Sequence, residues 1–314
     1  MKRMKVDLSL RRVWLLAMIC VVCCGLGKSA AGQQTSDLQS ASALLLQKRY
    51  ADAVALLQKI MPDHEQQPEA HVMLAYALFR EDKPAESLNE YTRAAQLRTP
   101  SAEDLKWVAQ DYVLLNDYKD AAKWMSISLS MDQSDEEAWY GMGRIEYTQN
   151  NFKQAKACFE QALKLRPQDV NAENNLGLTY EALYRFDDAV AAYRNAIEWQ
   201  QDSTHPSAQP YLNLATILLN KNEVDQAFPL LQRAAAIAPD NPAVLTQLAR
   251  ANFKQGRFAD AEKELKRALI EKPGDAALHF QLGRVLQKEG RQEEAKAEFA
   301  KTAVLDGTHS SPNR

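Results

Sequence analysis

Along this chain, apolar and small residues fall among polar ones in steps of three and four, the spacing that gathers side chains on one face of a helix. The steps come in blocks. Trp139, Met142, Gly143, Ala155, Phe159, Ala162 and Pro167 are answered at the same internal spacings by Leu245, Leu248, Ala249, Ala261, Leu265, Ala268 and Pro273. The block is 34 residues long, and its copies start at Gln34, Pro68, Ala102, Glu136, Val170, Ala208, Pro242 and Ala276. One change of phase is needed, a four-residue insertion at 204–207.

Position 8 of the block is small in every copy: Ala41, Ala75, Ala109, Gly143, Gly177, Ala215, Ala249 and Gly283. Position 20 is alanine or serine throughout, from Ala53 and Ser87 to Ala295. Large apolar residues hold positions 7, 24 and often 17, as in Leu176, Tyr193 and Phe186. Turn formers sit near position 15 (Asn116, Asn150, Asn222, Gly256, Gly290), and Pro167, Pro239 and Pro273 close their copies at position 32. Proline cannot continue a helix. Each block therefore reads as two antiparallel helices, A and B, of about 13 residues and ~20 Å each. Such a block cannot bury its apolar face alone, so neighbours must stack into one continuous core. The expected fold is all-α, an α-solenoid of about eight helix-turn-helix repeats. The composition, 46% hydrophobic and 25% charged, is that of an ordinary soluble chain.

The blocks resemble the tetratricopeptide repeat family. The pattern W-x2-L-G-x2-Y, A-x3-F-x2-A and P is carried from Trp139 to Pro167, except that Glu146 stands where Tyr is usual and Tyr147 is next door. Leu176, Gly177 and Tyr180 with Ala189, Tyr193 and Ala196 form a second close match. The resemblance covers residues 34–309 and implies a right-handed superhelix: repeats 1–5 over 34–203, repeats 6–8 over 208–309, and a disordered tail at 310–314. The ends depart from the pattern at Asp37 and Ser40, and at Thr302 and Gly307. The stretch after Asp306 is too short for the extra capping helix that many members carry.

The N-terminus differs in kind. Lys2, Arg3, Lys5, Arg11 and Arg12 precede an apolar run from Val13 to Gly27, followed by Ser29, Ala30, Ala31 and Gly32. That order is a secretory signal, with cleavage expected after Ala31 or Gly32. Fifteen helical residues rise about 22 Å, short of the ~30 Å hydrocarbon core. An uncleaved anchor at 13–27 is the alternative, and lipidation at Cys24 a weaker third. The expected location is periplasmic or secreted. Beyond residue 31 the chain holds 32 basic and 40 acidic residues, net −8, which speaks against a general nucleic-acid binder.

Catalytic and metal-binding patterns are lacking. Cys20, Cys23 and Cys24 lie in the apolar run, leaving Cys158 alone on a helix beside Phe159. There is no phosphate-cradling glycine loop and no Cys or His pair at metal spacing. His71 and His279 take position 4, where Trp139 and Tyr211 also sit, as packing residues. His205 lies in the insertion, and Asp202 and Ser203 beside it make no triad. No enzyme activity and no cofactor are expected.

The family resemblance implies that helix A lines a concave groove through positions 2, 5, 6, 9, 12 and 13. Position 6 reads Gln39, Met73, Trp107 and Gly141, then Asn175, Asn213, Gln247 and Gln281. A side-chain amide both donates and accepts, so a row of four suits the backbone of an extended peptide. Solvated filler is the competing reading. Arg250 with Lys254, and Arg284 with Lys288, take positions 9 and 13, each pair on one helix face. Residues 208–309 carry net +1 and residues 34–203 net −10, so the basic end is expected to receive an anionic group. Tyr76, Phe79, Tyr140 and Tyr147 fall at groove positions of earlier repeats, with Glu69, Glu103 and Glu137 at position 2. The family's clamp for chaperone tails is absent: Lys106 and Gln110 are followed by Gly141. The expected function is a non-catalytic scaffold binding an extended peptide or helix of a protein partner. A glycan binder or assembly factor of the envelope is the alternative.

Overall fold

The computed structural model describes residues 30–309. Among them are sixteen α-helices: α1 (Ala30–Leu46), α2 (Tyr50–His64), α3 (Pro68–Arg80), α4 (Pro84–Leu97), α5 (Ala102–Leu114), α6 (Tyr118–Met131), α7 (Glu136–Thr148), α8 (Phe152–Leu165), α9 (Val170–Ala182), α10 (Phe186–Trp199), α11 (Gln209–Asn220), α12 (Val224–Ile237), α13 (Pro242–Lys254), α14 (Phe258–Glu271), α15 (Ala276–Lys288) and α16 (Gln292–His309). Odd-numbered helices are the A helices of the eight repeats and even-numbered ones the B helices. Of the signal or anchor expected at 1–31, residues 1–29 lie outside the described residues, as does the tail expected at 310–314; residues 30 and 31 open α1. No helix among the described residues is long and apolar enough to cross a membrane.

The helices start and stop where local chemistry tells them to. Ser101 and Asp104 form a reciprocal capping box at α5, and Asp135, Asp169, Asn241 and Asp275 cap α7, α9, α13 and α15 through their side chains. Every A–B turn is made by one residue at positive φ at position 15: Lys48, Asp82, Asn116, Asn150, Tyr184, Asn222, Gly256 and Gly290. The final helix runs through Gly307 to His309, longer than the ~13 residues expected of a repeat.

The described residues form two compact units, divided between Thr99 and Pro100. In the first, α1–α4 make two repeats around Ala41, Ala53, Val54, Leu57, Leu74 and Leu78. Ser87, the one non-alanine at position 20, hydrogen-bonds the Ala75 carbonyl (2.9 Å) and so stays buried without an unpaired hydroxyl. In the second, α5–α16 form six repeats in a solenoid-like stack. There positions 8 and 24 are one contact. A Cβ placed on Gly143, Gly177 or Gly283 would lie 2.6, 2.5 and 2.5 Å from the rings of Phe159, Tyr193 and Phe299. Helix A must be bare where the aromatic ring of helix B lies across it.

The insertion is an ordered loop between α10 and α11. Gln200 is buried and folds its amide onto the loop: Nε2 donates to the Ser207 carbonyl (3.0 Å) and Oε1 accepts from the Ser207 amide (2.7 Å). His205, in the same loop, is exposed.

Candidate partner-binding face

In the second compact unit, the four amides of position 6 are half-buried or buried, and their surroundings differ. On α9, half-buried Asn175 donates from Nδ2 to the Tyr140 hydroxyl of α7 (2.9 Å). On α11, Asn213 is only 9% exposed; its Nδ2 donates to Asn174 Oδ1 of α9 (3.0 Å), and its Oδ1 accepts from Gln209 Nε2 (2.8 Å). These two amides join successive A helices. Gln247 on α13 and Gln281 on α15 are half-buried, and Arg250 reaches the Gln247 oxygen at 3.5 Å.

Asn213, Gln247 and Gln281 line one open cleft of about 370 Å³ across α11, α13 and α15. Leu212, Thr216, Ala243, Thr246, Ala277 and Leu278 supply its walls, and Lys272 and Asp275 its rim. Thr216 and Thr246 donate their hydroxyl protons to the carbonyls of Leu212 and Pro242, one turn back. That leaves the two hydroxyl oxygens as acceptors beside the amides. Asn175 is outside this cleft. Lys272 and Asp275 come from the α14–α15 connection, so the A-helix pattern carries no sign of them; Asp275 reads only as a helix cap.

The four cations of positions 9 and 13 lie three and seven residues beyond Gln247 and Gln281 on the same helices, and none of them lines the cleft. Arg284 is exposed, with its guanidinium 5.1 Å from the ring centre of Phe253. Lys254 donates to Asn222 Oδ1 (2.7 Å). Lys288 is exposed in the last turn of α15.

Earlier in the same compact unit the A-helix face is closed by its own contacts. Lys106 of α5 is bound to Asp135 (2.7 Å), with Glu137 at 3.7 Å. Burial alone pulls the Lys106 ammonium down; the carboxylates of Asp135, Glu137 and Glu103 outweigh it and hold the value above the usual one. Tyr140 and Tyr147 pack on the cluster of Phe159 and Leu176, and burial raises both phenols. In the first compact unit, Arg80 lies 4.3 Å over Tyr50 and donates to the Tyr76 hydroxyl (3.0 Å).

His71 and His279 are buried and bonded at both ring nitrogens. Nδ1 meets Glu90 or Glu298 at 2.6 Å, and Nε2 meets the carbonyl of Glu65 or Pro273 at 3.0 Å. They tie helix A to helix B within repeats 2 and 8. The Cys158 thiol is buried and pushed up to about 12 by burial, with Glu146 adding to the shift. A thiol so placed stays protonated and unreactive. Among the described residues, no group of three or more His, Cys, Asp or Glu is placed to hold a metal ion.

Two family models, both described as tetratricopeptide repeat, match this chain. One matches residues 140–206 and 185–242, the other 218–279 and 252–306; together they run over more than half of its length. Protein O-mannosyl-transferase TMTC3 of Mus musculus is 25% identical over 162 residues, 43% of this chain and 17% of that protein. The BBSome complex member BBS4 of Bos taurus is 24% identical over 227 residues, 70% of this chain and 35% of that protein. The matches thus take in well under half of these relatives. Among solved structures, the APC/C hetero-tetramer Cut9-Hcn1 aligns with a TM-score of 0.62 at 19% identity, over 97% of this chain and 57% of that one. The type IV pilus biogenesis factor PilW aligns with a TM-score of 0.58 at 22% identity, over 67% and 94%. Both share the fold. The chain belongs to the tetratricopeptide repeat family, whose arrays serve in general as scaffolds for protein–protein interaction.

Proposed function

We propose that this chain is a non-catalytic scaffold, exported to the cell envelope, that holds an extended segment of a protein partner against the A helices of repeats 6 to 8. The observation that carries this reading is the cleft that gathers Asn213, Gln247 and Gln281. An extended segment has unpaired N–H and C=O groups along its whole length, and amides can bond both kinds whatever the sequence. A helix satisfies its own backbone except at the ends and gains little from such a row. The buried, bonded histidines and the protonated Cys158 thiol support a non-catalytic role. The basic and apolar pattern of residues 2–27 supports export.

A photo-crosslinking side chain at Thr246, on the cleft wall, tests the site in intact cells. Cross-links to one protein segment should appear and should weaken when Gln247 and Gln281 are both changed to Ala. Cross-links to glycan alone, or ones indifferent to those two changes, would remove the reading. Fractionation tests export: the full-length chain recovered in the cytoplasm would overturn it.

A further inference from the structure

We propose that the last repeat pairs with a second copy of this chain, helix α16 lying antiparallel against its twofold mate. The first observation is a face that is covered in earlier repeats and open in repeat 8. In repeat 4, the rings of Tyr140 and Phe159 stand 5.9 Å apart, and α9 closes over them: Leu176 and Tyr180 join their cluster, and Asn175 donates to the Tyr140 hydroxyl. Phe280 and Phe299 are the same two positions of repeat 8, with ring centres 5.7 Å apart. Among the described residues no helix follows to close over them. Position 24 is buried in repeats 3 to 7, as Met125, Phe159, Tyr193, Leu231 and Leu265, whereas Phe299 is half-buried and Phe280 is 47% exposed. An open apolar face of this kind marks an interaction site.

The second observation names the occupant. Positions 21, 24, 28 and 31 of a B helix are the ones that meet the next repeat. Glu262 (21) bonds Arg291 of repeat 8 at 2.7 Å, Phe159 (24) and Leu163 (28) pack in one cluster with Leu176, and Gln200 (31) is buried and bonded to Ser207 on the approach to α11. On α16 these positions are Lys296, Phe299, Ala303 and Asp306, one helix stripe at steps of three, four and three. The stripe complements itself when reversed. Laid antiparallel about its midpoint, Lys296 of each copy meets Asp306 of the other, and Phe299 meets Ala303. A ring over a small residue is the fit that Phe299 already makes with Gly283 inside its own repeat. Lys296, Ala303 and Asp306 are exposed, and so is the small Ala300 beside the stripe, which lets two helices approach closely. Within the copy, Lys296 is paired only with Glu293 at 2.8 Å, and both side chains are so exposed that this pair holds it weakly. Head-to-tail growth lacks such a fit. It would set position 7 of α1 on Phe299, as Leu176 sits on Phe159, and α1 carries exposed Ser40 there, with Asp37 one turn before it. The contact is therefore between like faces, and it closes at two copies.

Sedimentation equilibrium of the full chain at low salt tests this, and a monomer–dimer equilibrium is expected. Lys296→Asp or Asp306→Lys alone brings like charges together at two symmetric places and should weaken the dimer about tenfold. The two changes combined restore opposite charges and should recover most of that loss. Ala303→Glu sets a carboxylate against the Phe299 ring and should abolish the dimer. All three positions are exposed, so the variants keep the fold, and circular dichroism checks that they do. A chain that stays monomeric at the highest concentration reached overturns the proposal. So does a dimer that none of these substitutions weakens, because its contact would then lie elsewhere, as at the apolar run of 13–27. Single variants that weaken the dimer with no recovery in the combined variant overturn the antiparallel register, and growth beyond two copies overturns the twofold.

Discussion

Adding a single methyl group at Gly177 puts two opposed effects in competition. In an exposed helix interior, Gly→Ala stabilises by about 1 kcal/mol. Here the new Cβ would stand 2.5, 2.8 and 2.9 Å from three ring atoms of Tyr193. That ring is fully buried in the cluster that also holds Ala189, Tyr211 and Leu212, so it has no open side to move to. Overpacking of this kind costs about 1–3 kcal/mol. Any tilt of the ring also draws its hydroxyl away from the Glu181 carboxyl it bonds, a loss of about 1–3 kcal/mol if complete. The steric side wins, and Gly177→Ala should destabilise by a net ~1–3 kcal/mol. For a body of 150–250 residues each kcal/mol lowers the melting temperature by roughly 2–4 °C. Thermal and urea melts followed by circular dichroism read both the midpoint and the slope. Tyr193→Leu supplies the control: the shorter side chain leaves room, so Gly177→Ala in that background should be neutral or stabilising. A Gly177→Ala variant that melts higher than the parent refutes the close-approach account, since helix propensity would then be the only effect at work. Gly143 against Phe159 and Gly283 against Phe299 repeat the experiment at two further sites.

At the A–B turn of repeat 5, Tyr184 takes a φ of 59° with 83% of its surface exposed, so its side chain earns little packing in return; Tyr184→Gly should stabilise by about 0.5–1 kcal/mol, and an unchanged or lower melting temperature would contradict this. The Glu298 carboxyl is raised by burial but more strongly lowered by Lys301 and His279 together, leaving it below its usual value. Its contribution to stability is therefore present above the unfolded-state value and lost as pH falls through the folded one. Glu298→Gln should lose stability relative to the parent at neutral pH and converge with it in acid, and a gap that persists unchanged at low pH would show that the charge is not responsible. Asn213→Ala leaves Asn174 and Gln209 without their partner and should cost ~1–3 kcal/mol in urea melts; a variant as stable as the parent would mean that this inter-helix link carries no load.

The helices were legible in the sequence because each repeat poses the same packing problem. Bare Gly177 and bulky Tyr193 are 16 positions apart and meet in the structure, and the pairing recurs one repeat earlier as Gly143 and Phe159. A periodic core thus writes its contacts into the pattern. The amide row was legible as a row but not as a set of bonds. Asn213 finds Asn174 across 39 residues and Asn175 finds Tyr140 across 35, and residue type at one position does not say which neighbour its side chain will reach. The sequence also grouped Asn175 with the other three amides, whereas the cleft takes only Asn213, Gln247 and Gln281. Lys272 and Asp275 were hidden for a different reason: they approach from a connection, where the helical period has no authority.

The two histidine–glutamate pairs have a consequence for how such a chain can change length. His71 with Glu90 and His279 with Glu298 lie within single repeats, and each ring donates its second bond, from Nε2, to a carbonyl six residues upstream. A stretch of sequence carrying that carbonyl and the repeat after it brings every partner of its buried imidazole along. Such a cassette is portable: it can be duplicated, excised or spliced into another array without orphaning a polar group in its interior. Repeats 4, 5 and 6, stitched by Tyr140 with Asn175 and by Asn174 with Asn213, are not portable in this sense and travel only together.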